Sequence, residues 1–529
     1  MGLDASDGEV AVSQRPELAQ FQCNGALGAA KRAGQNPREL AEAVIEALDD
    51  TSQFSDLSVA GPGFINISLT DSALAERIEG LRQADHVEVT PADPAVKMII
   101  DYGGTNVAKA PHIGHLRPAV IGESLKRMMQ ALGHDVTGDV HLGDWGAPMG
   151  QLIAELELRE PDLPYFDENY TGPYPEESPV AMADFDEMYP AAAARVKDDP
   201  EFAEKASQAV VALHAGRPGY RALWQHYRDI SVDALKEVFD DLGVDFDLWY
   251  GESTIHNRLA PLIGRMLEDG VARESDGAIV VDVQEPDDNK EYPPLLMAKS
   301  DGATLYSSWD VATIEDRDEK FDAKAMLYVV DDRQSLHFEQ VFRAARKAGI
   351  VGDDVVLEHP GNGTINGPDG KPLKTRDGGT PPLRGVMNEA IAKAAERLDE
   401  NDLASEYDAD ERSRIAELVG LAALKYGELQ NHRASDYIFD LDRFVSFEGR
   451  TGPYLLYSAV RIKSILRKAA EQGLQAGTVR PAANEYDRNL MLELFRLPEV
   501  LSRAAEHRAP NHIALYAYEL AAQFSRFFE

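Results

Sequence analysis

The stretch VKMIIDYGGTNVAKAPHIGHLRPAV, residues 96–120, decides how the chain folds. Its first part, VKMIIDYGG, is a compact apolar run that suits a buried strand. A glycine-containing loop follows, and then Ile121, Leu125, Met128 and Leu132 recur on one face of a helix. A second strand-like run, HDVTGDVHL (134–142), comes next. Strand, loop, helix, strand is the order of a doubly wound α/β fold, in which ligands bind at the carboxyl ends of the strands. His112, Gly114 and His115 therefore sit where a strand turns into a helix, with Lys109 and Arg117 on either side. A helix N-terminus carries partial positive charge and free N–H groups, and imidazoles beside it suit phosphate oxygens. Gly114 would let a flat base approach the backbone closely. Taken alone, H-x-G-H is equally well read as a pair of capping or core histidines.

Outward from this stretch, residues 1–88 form a small α/β unit. Asn36-Pro37 is a cap and first-turn pair for a helix with Leu40, Val44 and Leu48 on one face, and Ile65, Ile67 and Leu69 alternate as a half-buried strand would. TPADPA (90–95) marks the boundary. Residues 161–190, rich in Pro, Tyr and acid, are expected to be a surface insertion. Strand-like runs at GAIVVDV (277–283), ATLYSSWD (303–310) and AMLYVVDD (325–332) imply that the sheet resumes there. From about Pro382 the pattern is helical, with Ile513, Ala517, Leu520, Phe524 and Phe527 on one face of the last segment. A stripe of Arg461, Lys463, Arg467 and Lys468 runs along an earlier helix.

Composition narrows the classes. The chain has 529 residues, too many for one core, and 44% of them are apolar. Asp and Glu number 91 against 53 Lys and Arg, for a formal net charge of -38, which argues against nucleic acid as a partner of the bulk surface but not of a local basic stripe. Cys23 is the only cysteine, so an internal disulfide and a multi-cysteine zinc site are excluded. Apolar runs fall well short of the roughly 20 residues of a membrane span, and MGLDASDGEV lacks the basic and apolar regions of a secretion signal. The expectation is a cytoplasmic protein with no membrane partner and no metal site of its own.

The block DYGGTNVAKAPHIGHLRPAVIGESLKRMMQALGHDVTGDVHLGDWG (101–146) resembles the signature region of class I aminoacyl-tRNA synthetases, and specifically of the arginyl-tRNA synthetase family, where N-x-A-K precedes H-x-G-H and H-x-G-D-W-G follows it. RPELAQFQCNGAL (15–27) and GPGFIN (61–66) resemble the family's N-terminal domain. LYVVDDRQSLHFEQVFRAARKAG (327–349), GKPLKTRDGG (370–379) and DYIFDLDRFVSFEGRTGPYLLYSAVRI (436–462) resemble its later blocks, in the family's order.

The resemblance implies a doubly wound, Rossmann-like catalytic domain with insertions (89–400). It further implies a small N-terminal α/β domain (1–88) that contacts tRNA and an all-α anticodon-binding domain (401–529). It implies ligation of L-arginine to tRNA(Arg) through an arginyl-adenylate, with ATP and Mg2+ as a substrate complex, no permanently bound cofactor, a need for tRNA in the first step, and a monomer. His112 and His115 match the H-x-G-H histidines; with Gly114 they would hold ATP. GKPLKTRDGG loosely resembles the second signature, so Lys371, Lys374 and Arg376 would meet the outer phosphates, with Lys109 standing in for a missing lysine. Tyr306, Asp310 and Gln334 match the guanidinium-binding residues, as a planar cation requires a bidentate carboxylate. Asp101 and Asn106 match the positions that hold the α-amino and carboxylate groups. The stripe at Arg461, Lys463, Arg467 and Lys468 is the candidate RNA contact.

Some positions depart from the pattern. Gly104-Thr105 replaces a serine or alanine followed by proline, Pro118 a serine, and Pro148 a glutamine, and the chain stops at FSRFFE where members commonly run further. A weakened relative that only holds tRNA is one rival reading, opposed by the presence of His112, His115, Asp310 and Gln334. A small nucleotidylyltransferase is the other, opposed by the length of the chain and its helical C-terminal part.

Overall fold

The computed structural model describes the chain except for residues 1–3, 14, 16–17, 84–88, 90, 301 and 375–378, so Arg376 lies outside the described residues. It divides into two units, residues 1–89 with 458–500 and 516–529, and residues 90–457 with 501–515.

The N-terminal part of the first unit is an antiparallel sheet of β1 (Val10–Val12), β2 (Phe21–Cys23), β3 (Phe54–Ala60) and β4 (Phe64–Leu69) in the order β1-β2-β4-β3. It is covered by α1 (Gly25–Ala33) and α2 (Pro37–Glu46), and α3 (Asp71–Gln83) follows. Cys23, Ala26, Ala41 and Ile65 form its core, with Val44 and Ile67 against them. Asn36 caps α2, its Oδ1 accepting from the Arg38 N–H at 2.9 Å, and Pro37 opens the first turn, as the dipeptide predicts. Leu48 falls beyond the helix and is exposed.

The second unit begins with β5 (Lys97–Tyr102), α4 (Leu116–Ala131) and β6 (Asp135–Asp139), the expected strand-loop-helix-strand. Residues 98–102 of β5 are all buried, because helices cover both faces of a parallel sheet. Gly122 lets α4 lie directly on β5: a Cβ there would fall 2.2 Å from the Tyr102 ring. The chain continues through α5 (Ala147–Arg159), α6 (Met182–Asp198), α7 (Pro200–His214), α8 (Pro218–Leu242) and α9 (Glu252–Glu268). It then forms β7 (Ala272–Ser275), β8 (Ala278–Val281), β9 (Leu295–Ala298), α10 (Tyr306–Phe321), β10 (Ala325–Val329), α11 (Ser335–Lys347) and β11 (Val356–Glu358). The central sheet has the order β11-β10-β5-β6, every neighbouring pair parallel. The chain leaves β5 first toward β6 and much later reaches β10 on its other side. That reversal opens a crevice at the carboxyl ends of β5 and β10.

Three expectations are corrected. ATLYSSWD is no strand: the Leu305 N–H donates to Ser308 Oγ at 3.1 Å, α10 starts at Tyr306, and Val311, Ala312 and Ile314 are buried. A short apolar run reads alike as a buried helix or a strand. GAIVVDV does supply β8, but in a separate antiparallel sheet, β7-β8-β9, so the central sheet resumes only at β10. The insertion at 161–190 is a surface feature only in part, since Phe185 and Met188 of α6 are buried.

Beyond β12 (Ile365–Asn366) come α12 (Leu383–Glu400), α13 (Ala409–Leu429), β13 (Tyr437–Ile438), α14 (Leu441–Phe444), α15 (Gly452–Glu471), α16 (Glu485–Phe495), α17 (Leu497–Glu506) and α18 (Asn511–Phe528). Of the helices in the first unit, α16 packs on its N-terminal elements. Phe495 meets Phe21 with ring centroids 5.8 Å apart, and Arg488 pairs with Asp71 and donates to the Leu69 carbonyl at 2.6 Å. In α18 Ala514 and Tyr516 are buried, whereas Phe527, expected on the inner face, is exposed. No helix of the described residues is long and apolar enough to cross a membrane.

Candidate active site

After β5 the chain makes a loop and a single 3-10 turn, Ile113–His115, that leads into α4. The His112 N–H donates to His115 Nδ1 at 3.0 Å, and the Gly114 N–H donates to His112 Nδ1 at 3.1 Å. The contact from Gly114 leaves the proton of His112 on Nε2, while His115 Nδ1 also lies 3.2 Å from the His112 carbonyl. The ring centroids are 4.0 Å apart. Burial, with the neighbouring His112 and Lys109, lowers His115 to about 3; burial and Lys109 lower His112 as well, so both are neutral donors at pH 7. Gly114 makes this turn possible, because a Cβ there would lie 2.9 Å from the His112 ring.

Lys109 is exposed, its Nζ 5.8 Å from the centroid of Tyr189 on α6. The loop before it is fixed where the buried Ala108 N–H donates to Ser231 Oγ of α8 at 2.8 Å. Arg117 is not part of a phosphate site. It is fully buried, with Nε 2.9 Å from Glu428 of α13 and its fork on the carbonyls of Thr364 and His432. The cationic loop returns to the histidines: the Ile113 N–H donates to the Pro381 carbonyl and the Leu383 N–H to the Pro111 carbonyl, each at 2.9 Å. Lys371 and Lys374, on the hairpin that precedes this junction, are exposed.

Tyr306 and Asp310 lie one turn apart on α10, on the same face. Tyr306 is 74% exposed, open to a ligand. Asp310 is half-buried, and its Oδ2 lies 2.5 Å from Nε2 of His337 on α11. Gln334, just before α11, is exposed at the end of β10. A second acid, Glu252, opens α9. It accepts from the Trp145 N–H at 3.3 Å, and burial, with Asp144 and Asp310 adding to it, pushes its carboxyl up to about 7. Asp144 of the GDWG motif places it: Oδ1 accepts from the Ser253 N–H at 2.8 Å and Oδ2 from the Ser253 hydroxyl at 2.6 Å. Tyr306 is raised by desolvation and then by Glu252 and Tyr189, so Tyr189 faces both Lys109 and Tyr306.

Asp101 ends β5 and is buried, its Oδ2 taken by Arg317 Nη2 at 2.6 Å. An α-amine at this carboxylate must share it with Arg317. Asn106 is exposed and bridges Gly143, with the Val107 N–H donating to the Gly143 carbonyl at 3.0 Å. Pro118 and Pro148 stand in the first turns of α4 and α5, where a missing N–H costs no intrahelical bond.

A family model described as "tRNA synthetases class I (R), catalytic domain" matches residues 81–441. "Arginyl tRNA synthetase N terminal domain" matches 1–69 and "DALR anticodon binding domain" matches 455–529. The chain is 47% identical over 529 residues to an arginine–tRNA ligase of Alkaliphilus oremlandii, covering 100% of this chain and 89% of the relative. The chain belongs to the class I arginyl-tRNA synthetase family. An arginine–tRNA ligase of Maricaulis maris is 49% identical over 519 residues, covering 97% of this chain and 87% of the relative. In fold the chain is similar to the arginyl-tRNA synthetases of Plasmodium falciparum (TM-score 0.79, 22% identity, 98% of this chain and 87% of that one) and Thermus thermophilus (0.78, 21%, 98% and 88%).

In this arginyl-tRNA synthetase family member, Asp101 lies in β5 with Asn106, Lys109, His112 and His115 following it, Gln334 follows β10, and Tyr189 faces both Lys109 and Tyr306, which shares α10 with Asp310. The stripe on α15 is a separate feature: Lys463, Arg467 and Lys468 are exposed, while Arg461 lies 4.4 Å over the Phe528 ring. Sequence reasoning missed Glu252, Tyr189, Arg317 and His337. Only His337 left a local signal, three residues after Gln334 in a helical register.

Proposed function

We propose that this chain charges tRNA(Arg) with L-arginine in two steps at the carboxyl edge of its central sheet. A carboxylate oxygen of arginine attacks the α-phosphorus of ATP, the bond to the β-phosphate breaks, and pyrophosphate leaves. A hydroxyl of the terminal adenosine of tRNA then attacks the carbonyl carbon of the adenylate, its proton is released to solvent, and AMP leaves. The Nε2–H groups of His112 and His115 stabilise the charge that grows on the α-phosphate oxygens, and neutral imidazoles do so without lowering the ground state of the triphosphate by full charge pairing. Gly114 admits the adenine. Lys109, Lys371, Lys374 and Arg376 meet the outer phosphates, with Mg2+ arriving on ATP. Asp101 and Asn106 orient the amine and carboxylate, and Gln334 and Tyr306 flank the side chain.

Asp310 and Glu252 take the guanidinium between them. Lysine would offer one ammonium point charge to two separated acids. The face of Lys463, Arg467 and Lys468, with Arg461 beside it, meets RNA phosphates. The protein acts as a cytoplasmic monomer.

One observation supports this reading above the others: two neutral imidazoles follow β5 at the head of α4, and Tyr189 faces both Lys109 beside them and Tyr306 on the helix of Asp310. Arginine-dependent exchange of pyrophosphate into ATP tests it, with and without tRNA. Exchange that requires arginine and tRNA supports the reading. No exchange under either condition, with tRNA still bound, leaves only a tRNA-binding protein.

A further inference from the structure

Beneath the site, Asp101 belongs to a cluster of charges whose other members have no task in the reaction above. Asp101 at the end of β5 and Asp139 at the end of β6 share a single nitrogen, Nη2 of Arg317 on α10, each at 2.6 Å. The guanidinium carbon stands 5.2 Å from the centroid of Tyr328 on β10. Asp139 is wholly enclosed and Arg317 nearly so. His141 completes the group, its Nδ1 3.7 Å from Asp139 Oδ2 and its side chain 15% exposed. The backbone of His141 is held at a φ of +27°, a conformation that a residue with a Cβ takes only under constraint. Its N–H donates to Asp139 Oδ1 at 3.3 Å.

Two carboxylates against one guanidinium leave one negative charge in an almost dry pocket, and a buried net charge is strongly disfavoured. A proton cancels it. Burial raises Asp101 above the usual carboxylate range. On His141 burial works against the charge, but the nearby carboxylates of Asp139 and Asp101 outweigh it, and its pKa lies above the ordinary value. Asp139 itself is held low by His141 and Arg317 in spite of its burial. The groups facing His141 are Asp101 from β5, Asp139 from β6, Arg317 from α10 and, across the pocket, Glu252 from α9.

We propose that His141 carries one proton while the amino-acid site is empty, and that the α-ammonium of arginine, on reaching Asp101, displaces that proton to solvent. One positive charge enters and one leaves, and the only covalent bond broken is an N–H of imidazolium. His141 and Arg317 are thus positioning residues: Arg317 fixes the Asp101 carboxylate and His141 keeps the empty cluster neutral. This rests on the reading of Asp101 as the partner of the α-amine.

The test compares arginine with 5-guanidinopentanoate, which has the same guanidinium and carboxylate but no α-amine. In tRNA charging, the KM for arginine is divided by the Ki of the analogue at each pH from 6 to 8. The titration of Glu252, which both ligands meet alike, cancels in that ratio. The ratio should fall severalfold from pH 6 to pH 8, because only arginine must displace the proton. In His141→Asn the spare proton can reside only on Asp101, and the midpoint of the fall should move to lower pH.

A ratio independent of pH in the wild-type protein overturns the proposal, and that measurement decides even if the variant fails to fold. A midpoint unmoved in a folded His141→Asn overturns the assignment of the proton to His141. Failure of the underlying reading looks different: Asp101→Asn would then weaken arginine and the analogue equally.

Discussion

At the ends of β5 and β6, Asp101 and Asp139 close on a guanidinium that the chain itself supplies, that of Arg317. Near the starts of α9 and α10, Glu252 and Asp310 have no lysine or arginine ion pair among the described residues; a backbone N–H and His337 meet them instead. The first pair is buried and already holds a guanidinium, and the second is half-open and carries a carboxyl pushed up to about 7. The contrast teaches how a chain with 91 acidic residues can be selective for one cation. Negative charge alone is abundant on its surface, but at this edge two carboxylates are partly desolvated and stand without a lysine or arginine partner among the described residues.

The comparison breaks most visibly through its completed half. Arg317→Met should leave two buried carboxylates unpaired and cost about 3–5 kcal/mol of stability, read as a lower urea midpoint. A midpoint within error of wild type would mean that the pair is solvated after all. In the open half, Asp310→Ala should raise the KM for arginine roughly 100- to 1000-fold while that for ATP changes less than about twofold. An equal rise for both substrates would place Asp310 outside the guanidinium subsite.

Between the halves, His115→Ala should lower kcat roughly 100-fold or more with little change in either KM, since its donor acts on charge that develops in the transition state. A rise in the KM for ATP alone would make it a ground-state contact. The smallest effect belongs to Glu252. Its carboxyl is protonated below about pH 7 and charged above, so its ionisation alone should make arginine bind about tenfold better at pH 8 than at pH 6. Glu252→Gln should remove that share of the pH dependence, and an unaltered profile would assign the titration elsewhere.

Much of this edge was legible in the chain's own order. The strand, the H-x-G-H turn and the helix after it lie in one run of residues, and local periodicity suffices to read them. Tyr306 and Asp310 were assigned through the family resemblance, although the run that holds them was taken for a strand. Aromatic and apolar residues in a short window do not distinguish a buried helix from a strand, and the cap at Leu305 and Ser308 decides it. Arg117 lies in the most informative stretch of the sequence, yet its partner Glu428 is on a helix far along the chain. Glu252 and Arg317 were not legible at all, because their roles come from contacts with Trp145 and Asp101, 107 and 216 residues away. No local pattern reports such a distance.

The central claim is that one strand-end edge holds both substrates, and a crystal structure with arginine and a non-hydrolysable ATP analogue tests it most directly. The account predicts guanidinium nitrogens within about 3 Å of the carboxylates of Asp310 and Glu252, and α-phosphate oxygens within about 3 Å of Nε2 of His112 and His115. A guanidinium bound elsewhere, with Asp310 still held only by His337, would contradict it.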